Sequence, residues 1–400
     1  MKTQPLPTLP TLPTLPIPSE EALNHSKKLL DYILTKIRSN GGIISFEQYM
    51  HLALYTPTLG YYNAGTQKFG SGGDFITAPE ISPLYSYCLA EFCHEVLKTL
   101  QNGDILEIGA GSGQMAADIL IHLSTLKKLP CHYFILEISA DLKARQQEKI
   151  LALCPEFIDR VQWLERLPDF PFTGIILANE VIDAMPVHGF QITSQGIQEL
   201  GVIEKNQNVL SSLYHPTKIP KLNELFLSRS WQEGYSSEIN LSISPWVHSI
   251  SDILAKGILL LIDYGFPRNE YYHPDRNMGT LMCHYQHRAH TDPFLFPGLQ
   301  DITAHVDFTS LAEAALKSGL DLLGYTTQAA FLLSLGLLDF TTKICVENSE
   351  NKKIQLKLNS SIQTLTSPSE MGELFKVMAL GRGIEQELLG FNLLDRTYTL

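Results

Sequence analysis

The feature that most constrains the fold is a glycine-rich turn between a short apolar segment and a helical one. Asp104–Ile108 predicts a strand, residues 109–113 carry three alternating glycines, and residues 114–126 predict a helix. Glycine is needed at such a turn because the backbone bends sharply and a ligand must approach it without meeting a Cβ atom. A glycine motif placed between strand and helix favours a nucleotide-binding domain over a turn that binds nothing.

The rest of the chain continues the alternation of strands and helices. Further strands are predicted at residues 132–138, 174–178, 257–263, 320–325 and 375–379. These nearly continuous apolar runs, separated by helices, are typical of a doubly wound parallel sheet in an α/β fold. Two longer excursions, the first an alternating polar and apolar stretch at residues 187–217 and the second at 266–304, predict a cap over that sheet.

The residues beside the turn favour S-adenosylmethionine over a dinucleotide. In the dinucleotide fingerprint GxGxxG the third glycine comes one position later than here, where Gln114 stands instead. Glu107 would repel a pyrophosphate but can pair with a cationic amino group, and Glu137 at the next strand end can accept both ribose hydroxyls. An NAD-dependent oxidoreductase with the same sheet stays open as an alternative. The predicted cofactor contacts on this sheet are Glu107, Gly109, Ala110, Gly111, Gly113, Glu137 and Ile138.

Five separated blocks occur in the order found in one known family. They are FEQYMHLALYTPTLGYY, GSGGDFITAPEISPLY, LEIGAGSGQMAADIL, NEVIDAMPV and DPFLFPGLQDITAHVDF. Together they resemble the MidA-like class I S-adenosylmethionine-dependent methyltransferases, whose mitochondrial member assists assembly of respiratory complex I. The resemblance implies a Rossmann-like sheet with an inserted cap and N-terminal helices. It also implies methylation of a protein arginine, with a respiratory-complex subunit as one candidate acceptor.

Two carboxylates three residues apart follow the strand at residues 174–178. If the segment turns helically, Glu180 and Asp183 share one face and can grip a guanidinium together, while Asn179 can orient the acceptor or the cofactor. We predict these three residues as catalytic. The alternative is a structural role, with Asp183 capping the next helix and Glu180 in an ion pair.

Three further groups of residues are candidates for the site. In the glycine-rich loop that precedes the first strand, we predict that Asp74 and Thr77 close over the amino-acid end of the cofactor. Asp263 and Tyr264 end the most apolar strand, and His305 lies in the last of the five blocks, so we predict substrate contacts from them. Five histidines occur between residues 273 and 305, but their spacing matches no metal motif, and we predict no metal site.

Composition narrows the class of protein. The 400 residues carry 30 Lys and Arg against 42 Asp and Glu, which disfavours a nucleic-acid partner. The six cysteines form no CxxC pair, and no apolar run reaches the length of a membrane span. We therefore expect a soluble cytoplasmic protein. The family resemblance implies a protein substrate, and the oligomeric state, a homodimer being one option, stays open. A non-catalytic assembly module and a small-molecule methyltransferase also remain as alternatives.

These features predict the following organisation along the chain. A disordered proline-rich leader occupies residues 1–20, and N-terminal helices with the glycine-rich loop occupy 21–101. The cofactor-binding core spans 102–186, the first insertion 187–256, a core strand 257–265 and the second insertion 266–306. Residues 307–400 complete the core and include a helical insertion.

Overall fold

The computed structural model of this chain describes residues 15–63 and 77–400. Its α-helices are α1 (Glu20–Ser39), α2 (Phe46–Tyr55), α3 (Ala78–Ile81), α4 (Pro83–Leu100), α5 (Gln114–Thr125), α6 (Ala140–Leu153), α7 (Pro220–Leu227), α8 (Ile243–Ile253), α9 (Arg268–Tyr271), α10 (Phe308–Lys317), α11 (Gln328–Ser334), α12 (Leu337–Glu347), α13 (Lys352–Thr366) and α14 (Met371–Leu374). Its strands are β1 (Ile43–Ser45), β2 (Asp104–Ile108), β3 (Tyr133–Leu136), β4 (Val161–Leu164), β5 (Phe172–Asn179), β6 (His188–Thr193), β7 (Gly196–Asn206), β8 (Val209–Pro216), β9 (Ser236–Ile239), β10 (Leu254–Phe266), β11 (Met282–Tyr285), β12 (Arg288–His290), β13 (Asp301–Thr303), β14 (Val306–Asp307), β15 (Asp321–Thr327) and β16 (Phe375–Arg382).

A central sheet carries the strands predicted from the apolar runs. Its order is β15-β16-β10-β5-β2-β3-β4, with β14 beside the end of β10. Side chains alternate along β10, so Ile258 and Leu260 join a core with α4 and α5, whereas Leu259 and Leu261 join a second core with α8 and α10. Helices therefore cover both faces of the sheet, and the predicted doubly wound α/β fold is confirmed.

One strand departs from the all-parallel sheet that the sequence predicts. The pairs from β10 through β5, β2 and β3 to β4 are parallel, but β16 is antiparallel to both β10 and β15. The last residue of β15, Thr327, pairs with Lys376 at the start of β16. Helices α11–α14 thus return the chain to the sheet end at which β15 finished. A return without a crossover gives antiparallel pairing.

A second sheet joins the N-terminal helices to the first insertion. Its order is β1-β7-β6-β9, and β8 also pairs with β7. The antiparallel strands β6, β7 and β8 occupy the stretch where polar and apolar residues alternate in sequence. Ser45 and Gln48 form the capping box that opens α2, and Ser19 caps α1, which begins at Glu20, the last residue of the predicted leader. Residues 1–14 of that leader lie outside the described part of the chain.

No single helix within residues 15–63 and 77–400 combines the length and apolar character needed to cross a membrane. Helices α11 and α12 satisfy the length and composition test only when taken together, and the pair is bent by 64°.

The start of the central strands leaves no room for side chains at two glycines. A Cβ atom on Gly174 would lie 1.9 Å from the carbonyl oxygen of Asp104, and one on Gly257 would lie 1.9 Å from the carbonyl oxygen of Gly174. Both distances are far below any real contact. Close backbone approach of β2, β5 and β10 therefore depends on glycine at these positions.

We expect Gly174→Ala to lower the free energy of unfolding by about 3 kcal/mol, because the added methyl group forces neighbouring central strands apart. Urea denaturation followed by circular dichroism measures the change. Gly41→Ala is the control: its Cβ would meet open space, and its φ of +77° should cost only about 1 kcal/mol. Equal losses in the two variants would contradict the account.

Candidate active site

A cavity of about 630 Å³ lies at the carboxyl ends of the central parallel strands, the edge at which open α/β sheets bind ligands. Its walls include the glycine turn, the ends of β3, β5 and β10, the N-terminal segment that precedes β2, the second insertion, and α14 with the first residue of β16. Residues that line it include Tyr55, Tyr62, Thr77, Glu80, Glu107, Gly109, Ala110, Gly111, Glu137, Ile138, Asn179, Glu180, Asp183, Tyr264, Met282, His284, Ala289, Asp301, Thr303 and His305.

The glycine turn forms the floor of the cavity. Gly109 and Gly111 have φ values of +68° and +53°, in the region that favours glycine, and Ala110 lies between them. Gly113 is not on the wall. It is the residue before α5, and a Cβ atom there would lie 3.1 Å from the Cα atom of Gln146. The third glycine of the motif therefore allows the turn to pack against α6.

Glu137 follows the last residue of β3, and its carboxylate is held by neighbours. One oxygen accepts a hydrogen bond from the Ser139 N–H at 2.8 Å, and the other accepts one from Gln146 Nε2 at 3.0 Å. Gln146 also donates to the carbonyl oxygen of Gly111 at 3.1 Å, which ties the carboxylate to the glycine turn. Ile138, next along the chain, exposes 64% of its surface. A hydrogen-bond acceptor of fixed orientation, the Glu137 carboxylate, thus lies beside the apolar surface of Ile138.

Glu107 lies at the inner end of the cavity and is 1% exposed. The hydroxyl of Tyr133 donates to its carboxylate at 2.6 Å. Burial raises the pKa of Glu107 to about 7, and the Tyr133 hydrogen bond opposes that rise. A cation that reaches this carboxylate would therefore be bound strongly in its low-dielectric setting.

These residues fit a methyl donor that combines adenosine with a cationic amino acid. The glycine turn leaves space for close approach, the oriented Glu137 suits a ribose diol, and Glu107 suits an ammonium group. Thr77 also lines the cavity. It precedes α3, whose Glu80 accepts a hydrogen bond from Ser112 in the glycine turn. Asp74 lies outside the described residues.

Asn179 and Glu180 stand where β5 ends. Tyr85 donates its hydroxyl hydrogen to Asn179 Oδ1, and Asn179 Nδ2 donates to Glu180 Oε1 at 3.3 Å. Glu180 has a φ of +53°, which a residue other than glycine adopts only at a cost in conformational free energy. Its N–H donates a hydrogen bond to the carbonyl oxygen of Ile262 at 2.9 Å. Burial, then the charge of Asp183, raises the Glu180 pKa from 4.5 to about 8.

The two carboxylate oxygens of Asp183 differ in their hydrogen bonding within the described residues. Tyr264 donates its hydroxyl hydrogen to Oδ2, whereas Oδ1 is buried and has no hydrogen-bond partner among the residues that the structure describes. Burial raises the pKa of Asp183 to about 6, and the Tyr264 hydrogen bond works against this rise. Because Asp183 lines the cavity, a ligand donor can complete its hydrogen bonding.

Asp263 is the predicted substrate contact that the structure places elsewhere. It is 1% exposed, is not on the cavity wall, and its carboxylate accepts hydrogen bonds from three backbone N–H groups: those of Ile182, Asp183 and Tyr264, at 3.0, 3.2 and 2.9 Å. It therefore positions the loop that carries Asp183. A carboxylate at a strand end looks the same in sequence whether it faces a ligand or the backbone.

A three-stranded sheet, in the order β12-β11-β13, forms a wall that the sequence did not predict. One of its faces turns towards the core through Cys283 and Ile302, which are buried there. The other face lines the cavity with alternate residues, as period-two side-chain direction requires. The five residues of that face are Met282, His284, Ala289, Asp301 and Thr303.

Asp301 is the acidic residue of this wall. It is 2% exposed, and the hydroxyl of Tyr62 lies 3.1 Å from both of its carboxylate oxygens. The Tyr62 ring stacks on Tyr55 with their centroids 5.5 Å apart. Asp301 and Tyr62 both line the cavity but were not predicted as site residues, although both belong to the blocks that carry the family resemblance. Residues so far apart in the chain gave no local signal.

His305 lies on the wall next to Tyr264, with ring centroids 5.2 Å apart. Burial, with a smaller contribution from Arg276 and Lys376, lowers its pKa to about 4. It is therefore neutral at pH 7 and suits a hydrogen-bond role better than an ionic one. Within residues 15–63 and 77–400, no group of three or more His, Cys, Asp or Glu side chains is arranged to hold a metal ion.

Comparison with known proteins gives consistent matches. Residues 88–326, more than half of the chain, match the family described as S-adenosyl-L-methionine-dependent methyltransferase. The fold superposes with a TM-score of 0.93 on a Burkholderia thailandensis protein crystallised with S-adenosylhomocysteine. That protein is 42% identical, and the match covers 97% of this chain and 100% of that one.

Curated relatives match over similar lengths. Human "Protein arginine methyltransferase NDUFAF7, mitochondrial" is 29% identical over 390 residues, which cover 90% of this chain and 85% of the human protein. The Danio rerio protein of the same name is 28% identical over 382 residues, which cover 89% and 87%.

These matches decide several predictions. The cytoplasmic location is wrong, because the curated relatives are mitochondrial proteins. The family match removes the NAD-dependent oxidoreductase from consideration, and the predicted cofactor, S-adenosylmethionine, is confirmed. The resemblance to the MidA-like enzymes is likewise confirmed: this chain belongs to the family of S-adenosyl-L-methionine-dependent methyltransferases.

Proposed function

We propose that this methyltransferase transfers a methyl group to a guanidino nitrogen of an arginine in a protein. One observation carries the proposal: the described cavity wall contains carboxylate side chains but no Lys or Arg. The carboxylates are those of Glu80, Glu107, Glu137, Glu180, Asp183 and Asp301. A cavity lined in this way favours a cationic acceptor. The name of the human relative, protein arginine methyltransferase, supports arginine as that cation.

The donor half of the site is assigned to the sheet edge. Glu137 would accept the ribose hydroxyls, Ile138 would pack against the adenine, and Glu107 would pair with the amino group. Gly109, Ala110 and Gly111 would let the ligand approach the backbone, with Thr77, Asn179 and the predicted Asp74 as further contacts. When bound, S-adenosylmethionine supplies an activated methyl group on sulfur. Gly113 and Asp263 support these groups without touching the ligand.

The acceptor half is assigned to Glu180, Asp183 and Tyr264. The carboxylate of Asp183, whose buried Oδ1 atom has no hydrogen-bond partner among the described residues, would accept one guanidinium N–H, while the Tyr264 hydroxyl keeps the carboxylate from turning. Prior deprotonation of the guanidinium would cost at least about 7 kcal/mol at pH 7, since its pKa exceeds 12. The proton therefore leaves late. The nitrogen that accepts the methyl group would become acidic during the transfer, and Glu180 would take its proton.

The pKa of Glu180 suits this task. A carboxyl group with a pKa of about 8 holds a proton far more firmly than an exposed one, so it is a stronger base once it is ionised. His305 would contact the acceptor as a neutral hydrogen-bond partner. The protein that carries the arginine, with a respiratory-complex subunit as the candidate implied by the family resemblance, belongs to this proposal as well.

We expect Glu137→Gln to raise the Kd for S-adenosylhomocysteine at least about tenfold, because charge-assisted hydrogen bonds to the ribose become neutral ones. Isothermal titration calorimetry measures the Kd. Glu148→Gln, on α6 but off the cavity wall, is the matched control and should bind as the wild type does. Equal Kd values for the two variants would remove Glu137 from the donor site.

We expect kcat/KM to rise with pH between about 6 and 8 and then to level off. Burial raises the pKa of Asp183 to about 6 and that of Glu180 to about 8, and only their ionised forms can bind the guanidinium or take its proton. The apparent values belong to the pair of carboxyl groups, since the two interact.

Glu180→Gln should abolish the upper inflection of this profile and lower kcat about 100-fold or more, the usual worth of a general base. Initial rates measured across pH 5.5–9.5 with labelled S-adenosylmethionine test both statements. A profile in Glu180→Gln that keeps its upper inflection would mean that another group titrates there.

We expect labelled methyl groups to appear on arginine and not on lysine when the enzyme is offered paired peptides that differ only in this residue. The flat guanidinium can bond two carboxylates at once, whereas an ammonium is a point charge. Asp183→Asn should lower kcat/KM for the arginine peptide about 100-fold, because an acceptor for the guanidinium is lost, while S-adenosylhomocysteine still binds. Transfer to lysine, or an unaffected Asp183→Asn enzyme, would contradict the proposal.

A further inference from the structure

Strand β12 is one of the two edge strands of the three-stranded sheet among the described residues. It pairs only with β11, and it pairs antiparallel: Tyr285 stands opposite Arg288, His284 opposite Ala289, and Cys283 opposite His290. The strands are joined by Gln286 and His287, which both have positive φ, +46° and +60°. Such a two-residue turn makes its flanking pair, Tyr285 and Arg288, a hydrogen-bonded pair.

The backbone direction of Ala289 follows from this register. In antiparallel pairing, hydrogen-bonded and non-hydrogen-bonded pairs alternate, so the N–H and C=O groups of Ala289 point away from β11. On the other side of β11, His284 pairs with Asp301 of β13, as the same alternation requires. Ala289 is exposed and lines the cavity. A backbone donor and a backbone acceptor therefore lie unpaired, within the described structure, at the mouth of the site.

We propose that an extended segment of the substrate protein adds to this sheet as an antiparallel strand beside β12, with the acceptor arginine opposite Ala289. This inference rests on the proposed arginine acceptor and adds how the polypeptide around it is held. Strand addition of this kind uses main-chain hydrogen bonds and therefore accepts many sequences.

The face of the added strand on which the acceptor arginine lies determines the direction in which its side chain points. A residue directly opposite Ala289 lies on the same face as Ala289, His284 and Asp301, which is the cavity face. Its long side chain would cross the small methyl group of Ala289 to enter the cavity. There the carboxylates of Asp301, Asp183 and Glu180 complement a guanidinium. Arg288 alternates onto the opposite face, so its charge does not face the arriving side chain.

The first test removes the backbone N–H of Ala289, the hydrogen-bond donor that points away from β11. Ala289→Pro deletes the N–H that points away from β11 and leaves the β11–β12 ladder intact, since proline is tolerated at such edge positions. The probes are short peptides with one central arginine among valine and threonine residues, which favour extended structure. We expect KM for these peptides to rise about tenfold in Ala289→Pro with little change in kcat. An unchanged KM would overturn the proposal.

The second test uses wild-type enzyme and does not depend on the variant folding. In antiparallel pairing, the residue opposite Ala289 makes both hydrogen bonds to it, and its two neighbours direct their N–H groups outward. N-methylation of the arginine backbone nitrogen should raise KM about tenfold, whereas N-methylation of either neighbour should not. Equal effects at the three positions would overturn strand addition.

The two proposals fail in different ways. If wild-type enzyme methylates neither free arginine nor any of these peptides while it binds S-adenosylhomocysteine, the arginine acceptor itself is wrong. If it methylates free arginine but none of the peptides, or if the peptides react and neither test raises KM, the arginine acceptor stands and docking at β12 is wrong.

Discussion

The carboxylates of Glu180 and Asp183 share one buried cavity wall that, in the described structure, has no Lys or Arg side chain to balance them. Burial away from water disfavours ionisation and raises the pKa of both groups, and the charge of Asp183 raises the pKa of Glu180 further. A protein would normally neutralise such a pair with a cation of its own. Here the missing cation corresponds to the proposed acceptor, so substrate binding would relieve an unfavourable arrangement that folding has already formed.

That arrangement costs stability in a predictable pH window. Glu180 has a pKa of about 8 in the folded protein against an ordinary value of 4.5. Below about pH 4.5 it is protonated in both states, and its ionisation does not affect the folding equilibrium. As the pH rises towards 8, the unfolded chain ionises first, so the free energy of unfolding falls. Above about pH 8 Glu180 is ionised in the folded state as well, and its ionisation lowers the free energy of unfolding no further. The sheet and its two cores must supply the compensating stability.

Local signals explain which parts of this molecule could be predicted from its sequence. Strand β2 has the predicted bounds, because its apolar run ends abruptly at Gly109, and α2 begins at the capping box of Ser45 and Gln48. Gly113 and Asp263 were predicted as ligand contacts and lie off the described cavity wall, because a motif fixes residue types but not the direction in which each one faces. The β11–β13 wall was missed because strands of three or four residues cannot be separated from loops by periodicity.

The loop that carries Asp183 is held by three elements that are distant in sequence. Asp263 of β10 accepts its backbone N–H groups, the Tyr55 hydroxyl of α2 bonds the carbonyl of Ala184 at 2.9 Å, and the N–H of Ala304 bonds the carbonyl of Asp183 at 3.0 Å. In the proposed assignment, the central sheet provides most of the donor site, while the N-terminal helices and the second insertion shape the acceptor side. A sheet shared by many methyltransferases can therefore identify the methyl donor, but the acceptor must be argued from the added elements.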